Sequence, residues 1–494
     1  MGKMSALYPF LSGIFPIIFL YSKNISEVPI VKLLKYLISY VLIFGALYSG
    51  IFAFLGNYDK TSFVIFISIL FFYNSRKIIE KITVNRFGTK ILNLFFIVGI
   101  FSPTFFMKYI PLGIIGKIVL AISAFITFVP SLQILSFVAK VKKDETETPD
   151  LILPKESDKN LPDVYYIVPD SYNGAESLKK YMNFDNSSFL NFLKDKGFRV
   201  FDDATSNYPL TNLSLPSTLN LDYIENFCEL DKNNRDDQNR ALLATPHFSN
   251  FVVKYLKEKG YLYYHIVNYW EKQFFARGLK ADVEINLSAS NDFDRVFFDP
   301  TMIGAVSNAI ITKLGAKGVQ KIIDVLETIA DRKGPKFVFN HLICPHYPYY
   351  FDETGARPSK NLDKKNLEDE KILYLGQLKY LNTRLESVIN NILSHNKNSI
   401  IIIQADHGTG FQLDRINWQN PDSDCFRERF NILRAVYVPD GLLKGNFKSS
   451  VNVFRAIFNQ CFGENFELLE DKSFYSNYEG MFDLKEVKKE ETVV

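Results

Sequence analysis

The stretch IIIIQADHGTG, Ile400–Gly410, runs four isoleucines and a glutamine into Asp406, His407 and two glycines. A run of β-branched residues bounded by turn formers is the pattern of a central strand in a parallel sheet, covered on both faces. Every such strand must end in something polar, and Asp and Gly are ordinary turn residues. The tip of a central strand is also where open α/β sheets place their ligands. An acid and an imidazole at that tip are a plain turn or part of a site, and the surrounding chain decides which.

Just upstream lies YLGQLKYLNTRLESVINNIL (374–393), a long amphipathic helix, and the same alternation recurs further back. KFVFNHLI (336–343) is a second apolar run and stops at CPHYPYY, and DVYYIV (163–168) is a third and stops at PDSYNG. Between them, SSFLNFLKDKGFRVF has Phe189, Phe192 and Leu193 at helical spacing with Gly197 as a stop. FSNFVVKYLKEKGYLYYHIV pairs a helix closing at Gly260 with a following strand. Strands alternating with helices predict an α/β domain with a largely parallel central sheet.

The chain has 494 residues, 47% of them hydrophobic, with 45 Phe and 27 Tyr unevenly spread. Before residue 140 come long uncharged windows, Ser5 to Ser22, Tyr36 to Tyr58, Thr61 to Ser75, Ile91 to Met107 and Ile118 to Ala139. They reach or approach the roughly 20 residues a helix needs to cross a bilayer, and no small-residue cleavage site follows the first. The expected organisation is five membrane helices in 1–140, a charged linker in 141–162 (KVKKDETETPDLILPKESDKNLP spans the break), the α/β domain in 163–485 and a charged tail in 486–494. An odd span count puts the two chain ends on opposite sides of the membrane. The basic loop with Arg76, Lys77, Lys81, Arg86 and Lys90 then lies on the same side as the domain after Lys140, against the positive-inside rule if that side is external. A net charge of +3 gives no nucleic-acid footprint, and Cys228, Cys344, Cys425 and Cys461 form no CxxC pair.

Three strand ends carry polar residues of one chemical kind: Asp170, His346, and Asp406 with His407. The carboxyl ends of parallel strands share one edge, so these residues can converge there as a divalent-metal site of hard oxygens and an imidazole nitrogen. SNYPLTNLSLPSTLN (206–220) supplies hydroxyls at Thr211, Ser214, Ser217 and Thr218. Each suits a helix cap, and each could instead be an activated nucleophile facing an anion at a helix start. Chemistry alone does not choose among the four.

The order DVYYIVPDSY, TNLSLP, PHYPYYF, QADHG resembles the alkaline phosphatase and sulfatase superfamily, in particular its membrane-anchored branch of phosphoethanolamine transferases and lipoteichoic acid synthases. The resemblance spans roughly residues 161–478. TNLSLP matches the T-x-x-S-x-P pattern of the transferases, so the resemblance implies Thr211 as the metal-bound nucleophile, Asp170, Asp406 and His407 as further ligands of one manganese or zinc ion, and His346 as the residue that contacts or protonates the substrate. It implies a catalytic domain outside the cytoplasmic membrane. The implied reaction transfers a phospho-alcohol head group, of phosphoethanolamine or phosphoglycerol type, from a lipid donor to a glycan or lipid acceptor of the cell envelope. Alternatives are a hydrolase acting at the same site and an inactive membrane regulator. The chain departs from its relatives in three ways. Asp170 stands where the transferases usually have Glu, nothing like the sulfatase C-x-P-S-R surrounds Thr211, and no further histidine follows DHG, against a second metal.

The remaining histidines, His247, His265 and His395, read as structural or surface residues, and His341, inside its strand, as core or as support for the ligands. RERF (427–430) reads as a surface salt-bridge segment that could offer a cation to a phosphate.

Overall fold

The computed structural model describes residues 5–25, 28, 30–82, 112–144, 161–228, 249–268, 281–286, 292–301, 303–359, 362–363 and 366–492. They form two compact units, Met1–Asp150 with Ser290–Ile311, and Leu151–Ala289 with Thr312–Val494.

The second unit is built on seven strands, β1 (Asp163–Pro169), β2 (Arg199–Val200), β3 (Leu262–Val267), β4 (Val283–Asn286), β5 (Lys336–Leu342), β6 (Ser399–Gln404) and β7 (Arg434–Tyr437), in the order β2-β7-β6-β1-β5-β3-β4. Neighbours from β6 to β4 pair parallel, and β7 pairs antiparallel with both β6 and β2. Ile400 to Ile403 are fully buried, as a strand covered on both faces requires. The predicted helices flank the sheet. Ser187–Asp195 ends before Gly197, which at φ +89 takes the left-handed turn that glycine accommodates, and Phe251–Glu258 ends before Gly260 at φ +88. The helix entering β6 runs Leu367–His395, capped by the Asn366 side chain.

Register fixes the site. Ile167 pairs with Ile403, so Asp170 and Asp406 each lie three residues beyond the same rung. On the other side of β1, Val168 pairs with His341. A strand-end cluster of acids and imidazoles follows directly from three adjacent parallel strands. Lys485–Val487 pairs with Ser473–Tyr475, so residues 486 and 487, set aside above as tail, continue the folded unit.

The first unit contains helices α1 (Leu7–Lys23), α2 (Ile30–Leu55), α3 (Tyr58–Ile82) and α4 (Leu112–Asp144). Among the described residues, α2 and Leu112–Val138 of α4 are long and apolar enough to cross a bilayer, and α1 is a shorter apolar helix. The expected window at Ile91 to Met107 lies outside the described residues. The segment around the Asp292–Phe298 helix, expected within the catalytic domain, belongs to this unit. Phe293 and Phe297 are buried with Ile17, Tyr21, Leu33 and Ile134. Asp294 accepts a hydrogen bond from Tyr36 at 2.6 Å and pairs with Lys32 at 2.7 Å, and Asp299 pairs with Arg76.

Candidate active site

Thr211 is the first residue of the helix Thr211–Asn220, whose N-cap position is Leu210. Its hydroxyl is therefore not a cap. It donates to Asp406 Oδ2 at 2.6 Å and lies 3.1 Å from His407 Nε2. His407 Nε2 is 3.2 Å from Asp406 Oδ2 and 3.9 Å from Asp170 Oδ1. The structure thus brings together Asp170, Thr211, Asp406 and His407. His346 sits on the loop after β5, partly exposed, with its backbone N–H donating to the Asp170 carbonyl at 3.1 Å.

Three of the neighbouring hydroxyls have other tasks. Ser214 and Ser206 each donate to the Asp406 backbone carbonyl at 2.6 Å, and Ser217 donates to the Asp222 carbonyl at 2.6 Å. Ser171, in the left-handed region at φ 61, donates its backbone N–H to Asp406 Oδ1 at 3.2 Å. Gly408 has to be glycine, because a Cβ there would collide with the Glu428 carbonyl oxygen.

His341 is closer to the chemistry than its place in a strand suggested. Its Nε2 lies 3.3 Å from Asp170 Oδ2 and 3.9 Å from Asp406 Oδ2. Asp170, His341 and Asp406, all buried, offer one ligand atom each within 4.8 Å of one another. Two carboxylate oxygens and an imidazole nitrogen suit a divalent cation of manganese or zinc type. The signal for His341 was its register opposite Val168, which the sequence alone does not give.

Burial opposes ionisation of Asp170, but His346, His341 and His407 outweigh it and hold its carboxyl well below the usual range. Burial and then the Arg429 cation push His407 down to about 4, so the ring is neutral near pH 7 and its nitrogen is available as a ligand or proton acceptor.

The RERF segment corrects the surface reading. Arg427 is near the surface, 3.6 Å from Asp424, but Glu428 and Arg429 are buried. Glu428 accepts from Thr409 Oγ1 and the backbone of Phe411 and Gln412, fixing the loop after His407. Of the other histidines, His247 lies outside the described residues, His265 stacks on Phe339 in the sheet, and His395 pairs with Asp331 at 2.6 Å. All four cysteines are free.

A largely parallel α/β sheet with a hydroxyl, two acids and imidazoles at its carboxyl edge forms a candidate metal centre with a candidate nucleophile. Residues 162–428 match the sulfatase family model, more than half of the chain, and the chain belongs to the sulfatase family. No curated protein matches it. Similar solved structures include the C-terminal periplasmic domain of EcEptC from Escherichia coli in complex with zinc, at 14% identity over 69% of this chain and 96% of that one, TM-score 0.44. The corresponding domain of phosphoethanolamine transferase EptC from Campylobacter jejuni is 13% identical over 63% and 92%, TM-score 0.40. Phosphonate monoester hydrolase of Agrobacterium radiobacter is 11% identical over 64% and 80%, TM-score 0.39. These likenesses are too distant to assign a substrate.

Proposed function

We propose that the protein is a membrane transferase that moves a phospho-alcohol head group, of phosphoethanolamine or phosphoglycerol type, from a lipid to a glycan or lipid acceptor of the cell envelope through a phosphothreonine at Thr211. The observation that carries this reading is the Thr211 hydroxyl, at a helix start but engaged with Asp406 and His407 instead of the helix backbone. Its proton has an acceptor in Asp406 at 2.6 Å. The Thr211 oxygen bonds to phosphorus as the bond to the diacylglycerol oxygen breaks, and His346, beside the site and partly exposed, supplies the proton that the departing alkoxide needs. In the second half an acceptor hydroxyl gives its proton to His346, attacks phosphorus and releases Thr211. A manganese or zinc ion held by Asp170, Asp406 and His407, with Thr211 or His341 completing the set, would stabilise negative charge on the reacting oxygens.

The helical unit supports a donor that stays in the bilayer. Leu42, Phe54 and Phe125 are 68%, 77% and 72% exposed, a surface that suits lipid better than water. Of the cations in the basic loop, Arg76 is paired with Asp299, which weakens the charge objection at that residue. Ser5 hydrogen-bonds Asp59 at the start of α3, whereas Asp299 meets Arg76 near its end, about 25 Å away at 1.5 Å per residue. Within the helical unit, Ser5 and Asp299 thus meet α3 near its opposite ends.

A hydrolase on the same site shares the first half-reaction, with water replacing the acceptor. Product analysis with donor lipid, with and without an acceptor glycan, separates the two. Transfer product only when acceptor is present supports the transferase, and rapid release of free head-group phosphate in either case contradicts it.

A further inference from the structure

Arg429 is 5% exposed and lies between the two loops that carry the reacting residues. Its Nε donates to the Pro209 carbonyl at 2.7 Å, two residues before Thr211, and its Nη1 to the Gly408 carbonyl at 2.9 Å, directly after His407. Both partners are neutral. Among the described residues no carboxylate comes within ion-pair distance of this guanidinium, and Nη2 has no hydrogen bond. The adjacent acid, Glu428, is engaged by Thr409, Phe411 and Gln412. A buried cation without a counter-ion is costly unless an anion arrives to meet it.

The Trp418 ring also lies against the guanidinium, 5.1 Å away. Its loop holds three non-glycine residues in left-handed conformations, Asn417, Trp418 and Asn420, at φ 48, 58 and 47. The loop is pinned by Trp418 Nε1 on Asp414 at 2.8 Å and by Tyr475 on the Trp418 carbonyl at 2.8 Å. Conformations of this kind persist where the surroundings over-determine them and cluster at ligand clamps. Here they keep an indole against the guanidinium.

We propose that Arg429 is a substrate-holding residue that takes an anionic oxygen of the phosphoryl group undergoing transfer at Thr211. This rests on the reading of Thr211 as the attacking group. The planar fork suits a tetrahedral phosphate, and an ammonium matches only its charge.

The test uses the full-length protein in detergent, with inorganic phosphate as probe, calorimetric titration for affinity and thermal unfolding for fold. Arg429→Gln should weaken phosphate binding 10- to 100-fold, the range for a hydrogen bond to a charged group, and raise KM for the donor lipid by a similar factor. Arg429→Lys, which keeps the charge and tolerates the site if Gln does not fold, should recover part of the phosphate affinity. Unchanged phosphate affinity in a folded Arg429→Gln or Arg429→Lys protein, with only a lower melting temperature or a lower kcat, would reduce Arg429 to a tie between loops and overturn the proposal, as would a wild-type protein that binds no phosphate. Thr211→Ala separates the two levels. It should bind phosphate through Arg429 yet turn nothing over, and turnover in that variant refutes the functional reading whatever Arg429 does.

Discussion

In the catalytic unit Ile400 to Ile403 are fully buried and the polar groups gather at one edge of the sheet, whereas in the helical unit Leu42, Phe54 and Phe125 are exposed and the hydroxyl-bearing Thr61, Ser62 and Ser123 are buried. The helical unit has a buried apolar core too, around Ile17, Tyr21 and Ile134, but it also exposes large apolar side chains. In water, apolar surface is the material of the core, and polar groups are buried only where hydrogen bonds or a ligand satisfy them. In lipid, apolar surface carries no penalty outside, and small or polar residues serve the contacts between helices. The contrast teaches where chemistry can sit. Only the unit that concentrates charge at strand ends brings a hydroxyl, two acids and imidazoles together.

The comparison can be broken in several places. The largest effect is expected at the strand ends: Asp406→Asn should lower turnover by about three orders of magnitude and strip bound metal, with thermal unfolding little changed, because the amide keeps the shape but not the charge. Metal content by elemental mass spectrometry decides it, and full occupancy in this variant would remove Asp406 from the site. Next comes the exposed face of α2. Leu42→Asp should cost about 3 kcal/mol of membrane insertion and lower the membrane-integrated yield, while protein that does insert keeps its metal; an unchanged yield would mean this face does not meet lipid. Smaller still is the Lys32–Asp294 pair. Asp294→Lys should destabilise the helical unit by about 1 kcal/mol, and adding Lys32→Asp should restore it, a double-mutant cycle read by thermal unfolding in detergent. The smallest effect is a slope with pH. Burial raises Glu428 above its ordinary 4.5, against the hydrogen bonds from Gln412, Thr409 and Phe411. The folded state therefore holds this proton more tightly than the unfolded chain, and stability falls as pH rises from 4.5 through the folded value. Glu428→Gln should flatten that fall in denaturation midpoints, and an unaltered slope would show that Glu428 is ionised at no cost.

Much of the catalytic unit was legible because its signals are local. An isoleucine run, a glycine stop and an Asn cap each act on neighbouring residues, and parallel pairing then brings Asp170, Asp406 and His407 to one edge without further information. Thr211 became distinguishable from Ser214, Ser217 and Thr218 only through a motif resemblance, since all four suit the start of a helix. What stayed hidden depends on long-range placement. His341 reads as an inward strand residue whether it faces a core or a metal, and its register against Val168 decides. Glu428 and Arg429 sit in RERF, a pattern equally suited to a surface helix, and they are buried because the loop after Gly408 closes over them. The Asp292–Phe298 helix is short and mixed in polarity, so nothing local tells that its phenylalanines pack on helices more than 150 residues earlier in the chain.

The central claim is that Thr211 carries the head group between donor and acceptor. Its most direct test is mass spectrometry of the active-site peptide after incubating the protein with donor lipid alone. One phospho-alcohol adduct is expected, on Thr211, which disappears when acceptor is added and never forms in Thr211→Ala. An adduct on Ser214, Ser217 or Thr218, or transfer by Thr211→Ala at the wild-type rate, would contradict it.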